Sequence, residues 1–150
     1  NKKSNLKKFW SGAQPQKDGF TNDGVIVGQC WDGPIQAMMR NGMPVAYRTT
    51  DEGALAWIDG LCLSKNLKNV HEAYEFLNYI SYPQVGGETV NQIGYNSAMN
   101  GAHNYYSKAT RSITRSIYPD DTSTKLNPWP PEPKWFADLR ASYALKFENA

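Results

Sequence analysis

The chain has 150 residues, and 40% of them are apolar, enough for a core and too many for a disordered segment. Sixteen Lys and Arg against fourteen Asp and Glu give a net charge of +2, which argues against a general nucleic-acid binder. No run of about 18 apolar residues is present to span a membrane. The unusual number is the aromatic share, 13%, from five Trp, nine Tyr and five Phe. Such side chains are costly to expose and well suited to gripping a ligand.

The chain opens on a basic stretch with Leu6, Phe9 and Trp10 at helical spacing and no apolar h-region of a signal peptide. A helix beginning so close to residue 1 suggests a chain cut from a longer one. After the turn Thr21-Asn22-Asp23-Gly24, the run Val25-Ile26-Val27-Gly28-Gln29-Cys30-Trp31 reads as a strand buried on both faces. It ends at Asp32-Gly33-Pro34, and a short helix is expected over residues 35–40, stopped by Gly42. Residues 43–48 read as a second, edge-like strand because Pro44 lacks a donor. Together these form a strand–helix–strand unit of an α/β fold.

Residues 54–63 are mostly apolar but interrupted by Asp59. Asn69 and Glu72 have the spacing of a capping box. Behind them Val70, Ala73, Tyr74, Leu77 and Ile80 fall on one helical face. Pro83 opens another helix through Ile93, weakened by Gly86 and Gly87 and stopped at Gly94. Residues 96–131 read as irregular. Pro133 can start a last helix with Phe136, Leu139, Tyr143 and Phe147 on its apolar face. Phe136, Tyr143 and Phe147, with Tyr74 and Phe76, are expected in the core.

Most catalytic signatures are missing. Neither a glycine-rich phosphate loop nor a G-x-S-x-G elbow is present. His71 and His103 read as solvated surface, and the pairs Asp51/Glu52 and Asp120/Asp121 lie in turns. Cys30 and Cys62 read as small buried residues in apolar strands, with one disulfide as the alternative in an oxidising compartment. Two Cys and two distant His lack metal-ligand spacing, and no cofactor is expected.

One pattern does carry chemistry. Trp31 and Asp32 stand where a buried strand gives way to a helix, a usual ligand position in α/β sheets. Trp57 and Asp59 are two apart on an extended segment and so face one side. A carboxylate in an apolar strand is expensive unless it is paired or faces a cation. Tyr95 follows Gly94 at a helix end. An acidic group flanked by Trp and Tyr suits an organic cation, each ring adding about 0.5–2 kcal/mol of cation–π attraction. Each aromatic can equally be a packing residue, and Asp59 can equally be a hub for turn amides.

At these residues the sequence resembles the C-terminal half of the extracellular solute-binding proteins of ABC importers, in the periplasmic spermidine/putrescine-binding branch. The strand ending in Trp31-Asp32-Gly33 resembles the family's strand ending in Trp-Asn-Gly. Residues 51–59 resemble its Glu-Gly-Gly-x-x-Trp-x-Asp segment, residues 68–80 its N-x-x-x-A-x-x-F-x-N helix, and 93–97 its Ile-Gly-Tyr stretch. The resemblance implies a partial α/β fold of the periplasmic-binding-protein type II kind. Residues 1–56 and 96–150 would lie mainly in the second lobe, and 57–95 would cross into the first. It also implies a non-enzymatic protein of the periplasm that binds a polyamine or other small cationic or zwitterionic amine. Trp31, Trp57, Asp59 and Tyr95 would line the cleft. Asp32 replaces the family's Asn, and Trp129-Pro130 replaces its Trp-Gln pair, so Asp32 and Trp129 join the candidates on altered terms. The implied partners are the amine, the importer's permease, and either the N-terminal half of the same protein or a second copy. Two other classes stay open from the residues alone: a small α/β enzyme using acidic groups, and an interaction module anchored by aromatics.

Overall fold

The computed structural model describes residues 3–119 and 122–149. The expected turn at Asp120/Asp121 lies outside them. Six α-helices and one pair of short strands follow in order: α1 (Ala13–Thr21), α2 (Asp32–Arg40), β1 (Ala54–Ala56), α3 (Val70–Ile80), α4 (Pro83–Ile93), α5 (Lys108–Ile117), β2 (Leu126–Pro128) and α6 (Lys134–Glu148). The fold is mixed, mostly helical with a small sheet, which is compatible with the α/β class.

Helix α2 is the hub, packing on α1, α4 and α5. Pro34 sits in its first turn, where a missing N–H costs nothing, and Arg40 sits in its last turn, where a cation suits the helix dipole. The Arg40 guanidinium donates to the Gln92 carbonyl at 3.0 Å, tying α2 to the end of α4. Burial lowers the Arg40 pKa. The core is small: Ile35, Met38, Val90, Ala102 and Ile117, with the polar side chains of Gln16, Gln36 and Thr110 buried among them.

Helix α4 matches the expected bounds, with Pro83 at its start and Gly94 left-handed at its end (φ 89°). Gly86 and Gly87 do more than weaken it. A Cβ on Gly87 would sit 2.5 Å from the Ala102 carbonyl oxygen, and one on Gly86 would sit 2.6 Å from the Ser97 hydroxyl. The two glycines let the 3-10 turn Ala102–Tyr105 lie directly on the helix. Helix α5 falls within a stretch expected to be irregular. Its signal is Ser107, whose hydroxyl accepts from the Thr110 N–H at 3.1 Å as a side-chain cap.

The strand expectations fail. Residues 25–31 and 43–48 are not strands, and of 54–63 only Ala54–Ala56 is one, pairing in parallel with β2. A strand requires a neighbour for its N–H and C=O groups, and among the described residues no strand lies beside these segments. Instead of being buried, Ile26 is 94% exposed, Val27 84% and Ile58 86%. Cys30 is half-buried, Cys62 exposed, and both thiols are free. Burial pushes the Cys30 thiol pKa up.

Two helix expectations hold in extent but not in packing. Helix α3 begins without a side-chain bond from Asn69, so the capping box does not form. Neither α3 nor α6 has a fully buried residue. Tyr74, Phe76, Phe136, Tyr143 and Phe147, expected in the core, are all exposed, as is Leu139 on the same face of α6. The N-terminal helix reduces to a single 3-10 turn, Lys3–Asn5, and Leu6 and Phe9 are exposed. A folded monomer of this mass exposes about 7,700 Å², whereas this chain exposes 11,550 Å². The exposed aromatic side chains of α3 and α6 contribute to that excess.

Candidate functional site

The site residues converge at three chain ends: the start of α2, the end of α4, and the carboxyl edge of the parallel strand pair. Trp31 is the residue before α2, in extended conformation. Its ring lies 6.1 Å from that of Trp57, just past β1, at 64°. Trp129, just past β2, donates its backbone N–H to the Ala56 carbonyl at 2.8 Å. The strand pairing therefore brings Trp129 alongside the residue before Trp57. Its indole N–H reaches Glu132 at 3.3 Å.

Tyr95 is placed by two glycines. The left-handed turn at Gly94 directs the chain back over α2, and a Cβ on Gly94 would lie 2.9 Å from the Gly33 carbonyl oxygen. The Tyr95 ring then rests on Gly33 itself, where a Cβ would come within 2.5 Å of the ring carbons. Burial raises the Tyr95 phenol pKa, and the negative charges of Asp32 and then Asp59 raise it further. The ring thus stands within the field of both carboxylates.

Asp32 is half-buried in the first turn of α2, where a carboxylate suits the helix N-terminus. It accepts a short hydrogen bond from the Tyr118 hydroxyl and a long one, 3.4 Å, from the Gln36 amide. Burial and the Asp32 charge push the Tyr118 phenol pKa far up, and they push up that of Tyr47 as well. Tyr47 donates to the Cys30 carbonyl at 3.1 Å. Asp59, by contrast, is exposed on an extended segment rather than enclosed in an apolar strand, so burial gives it no reason to be paired.

Trp31, Asp32, Trp57, Asp59 and Tyr95 therefore share one neighbourhood, with Trp129 along its margin. Four residues not anticipated as site residues also belong to it. Trp10 packs against Trp31, Gln16 binds the Trp31 backbone, and Tyr47 and Tyr118 surround Asp32. Trp31, Asp32 and Tyr95 are half-buried in it, while Trp57, Asp59 and Trp129 are exposed. Two concavities, of about 510 and 560 Å³, are lined by other residues, among them Arg48 and Lys125 in the first and Arg111 and Arg115 in the second. Chemically, a row of indole rings beside two carboxylates can hold an organic ammonium by charge and by ring faces. Among the described residues no group of His, Cys, Asp and Glu could hold a metal ion.

The chain is similar to periplasmic polyamine-binding proteins, as the sequence resemblance implies. It is 27% identical over 117 residues to the spermidine/putrescine-binding periplasmic protein of Escherichia coli K12, a match covering 78% of this chain and 32% of that protein. To the putrescine-binding periplasmic protein PotF of the same organism it is 31% identical over 113 residues, 71% of this chain and 30% of that one. The putrescine/agmatine-binding protein of Pseudomonas aeruginosa is 31% identical over 82 residues, 51% of this chain and 22% of its own length. The chain thus spans about a third of the length of the curated relatives it matches. No family model matches the chain, and no solved structure matches it. No helix among the described residues is long and apolar enough to cross a membrane.

Proposed function

We propose that the chain forms one wall of an amine-binding cleft in the solute-binding component of an ABC importer, acting in the periplasm without catalysing a reaction. The observation that carries this reading is the placement of Tyr95 in the field of both Asp32 and Asp59, beside the Trp31–Trp57 ring pair. A carboxylate neutralises an ammonium group, and indole and phenol faces accommodate both the cation and its methylene chain. The names of the relatives favour a polyamine such as putrescine or spermidine, with other cationic or zwitterionic amines as the wider class.

The opposite wall comes from the rest of a two-lobed protein, to which residues 57–95 would cross. Support for this lies in the exposed aromatic side chains of α3 and α6 and in the apolar runs at 25–31 and 57–63, which join no strand among the described residues. An excess surface of about 3,900 Å² is the size of an obligate interface. The permease of the importer is the further partner.

Titration calorimetry with putrescine and spermidine tests the reading. Saturable heat with no change in the amine is the expected result. Chemical turnover of the amine, or heat from neither amine, would overturn it.

A further inference from the structure

We infer that Gln16 and Trp10 are positioning residues that fix Trp31 before any ligand arrives. This rests on the amine-site reading for its functional consequence but on separate geometry for its substance. Gln16 is only 2% exposed, and a buried amide is costly unless its polar atoms are bonded. Both ends are used. Its amide nitrogen donates to the Gly12 carbonyl at 3.2 Å, and its Oε1 accepts the Trp31 backbone N–H at 2.7 Å. Helix α1 thereby grips the residue that opens α2.

The ring of Trp31 is gripped separately. Trp10 lies 5.3 Å from it at 82°, an edge-to-face arrangement, and Trp57 lies on its other contact at 64°. Trp10 is itself anchored, because its indole N–H donates to the Gln29 carbonyl at 2.9 Å. Trp10 and Gln16 belong to one short stretch bent at Gly12, whose φ is 99°. A single local unit, residues 10–16, thus holds both the backbone and the ring of Trp31. The bracket supplies the preorganisation that makes binding less costly.

The test uses the full chain and reads the exciton-coupled indole band in circular dichroism, which reports the mutual orientation of neighbouring tryptophans. Trp31→Phe, which removes the ring shared by both pairs, sets the baseline. Gln16→Met should cut the band toward that baseline, and Gln16→Glu should restore it at acid pH, where the protonated carboxyl both accepts the Trp31 N–H and donates to the Gly12 carbonyl. Should the Met variant not fold, Gln16→Asn, which withdraws the amide by one methylene, takes its place with the same expected loss. If the released ring holds its binding orientation about a tenth of the time, the apparent Kd for putrescine rises about tenfold. Trp10→Phe, which keeps a ring but loses the bond to Gln29, should also weaken putrescine binding.

A lower melting temperature with a wild-type band in the Gln16 variants would make Gln16 a packing residue and overturn the inference. Equal putrescine affinity in wild type and Trp31→Phe would instead overturn the amine-site reading, leaving the band to decide the positioning independently.

Discussion

Tyr118 donates its phenolic hydrogen to Asp32 across 86 residues of sequence, joining the end of α5 to the first turn of α2. Asp32 is therefore not simply a free carboxylate facing a ligand. It already holds the fold together at the edge of the site. Tyr118 stays neutral because ionising it would put a second negative charge beside the first in a partly buried place.

This arrangement predicts alkaline sensitivity with a definite sign. Burial first, and Asp32 second, raise the phenols of Tyr118, Tyr47 and Tyr95 above the ordinary value of about 10. The folded chain then keeps protons that the unfolded chain has lost. The stabilisation is fully present below about pH 10 and declines as pH rises above it toward the folded values. Urea midpoints should fall above that pH, and phenolate absorbance should reveal a late-titrating class. Tyr118→Phe should shrink that class and flatten the fall.

Gly33→Ala should weaken amine binding more than it weakens the fold. The added methyl would lie 2.5 Å from the Tyr95 ring. The ring must then leave its place over Gly33, at a folding cost of about 1–3 kcal/mol. Calorimetry beside urea unfolding separates the two effects.

Gly87→Ala should destabilise, although Ala is about 1 kcal/mol the better helix former. The new methyl would meet the Ala102 carbonyl oxygen at 2.5 Å, a backbone atom that cannot turn aside. A raised thermal midpoint would contradict the packing described for α4.

The uncovered faces of α3 and α6 predict self-association of the isolated chain. Tyr74, Phe76, Phe136, Tyr143 and Phe147 are all exposed, and clustered exposed aromatics mark interaction surfaces. Light scattering behind size exclusion should give a mass above that of one chain. A monodisperse monomer would contradict the missing wall proposed for these faces.

What was legible in the sequence follows from which forces are local. Helix α4 could be read to the residue because Pro83 and Gly94 fix its ends by backbone geometry alone. The extent of α3 was legible from its period. Its burial was not, since an apolar face says what should be covered and not whether anything covers it. The runs at 25–31 and 57–63 have strand composition, but a strand is a property of pairs, and among the described residues only Ala54–Ala56 finds a partner, in Leu126–Pro128. Helix α5 was missed because its Ser, Thr and Ile residues are weak helix formers and its one clear signal is the Ser107 cap. Within the site, Trp31, Asp32, Trp57 and Tyr95 could be singled out by residue type at chain ends. Trp10, Gln16, Tyr47 and Tyr118 could not, because each acts through a contact that only the tertiary structure creates.

The most direct test compares putrescine titrations of the wild-type chain and Asp59→Asn. The substitution removes the exposed carboxylate and keeps the side-chain shape, so the fold should not change. A charged hydrogen bond is worth about 1.5–3 kcal/mol, so the affinity should drop roughly ten- to hundredfold with an unaltered unfolding curve. Equal affinities for the two proteins would contradict an aromatic–acidic amine site centred on Asp59.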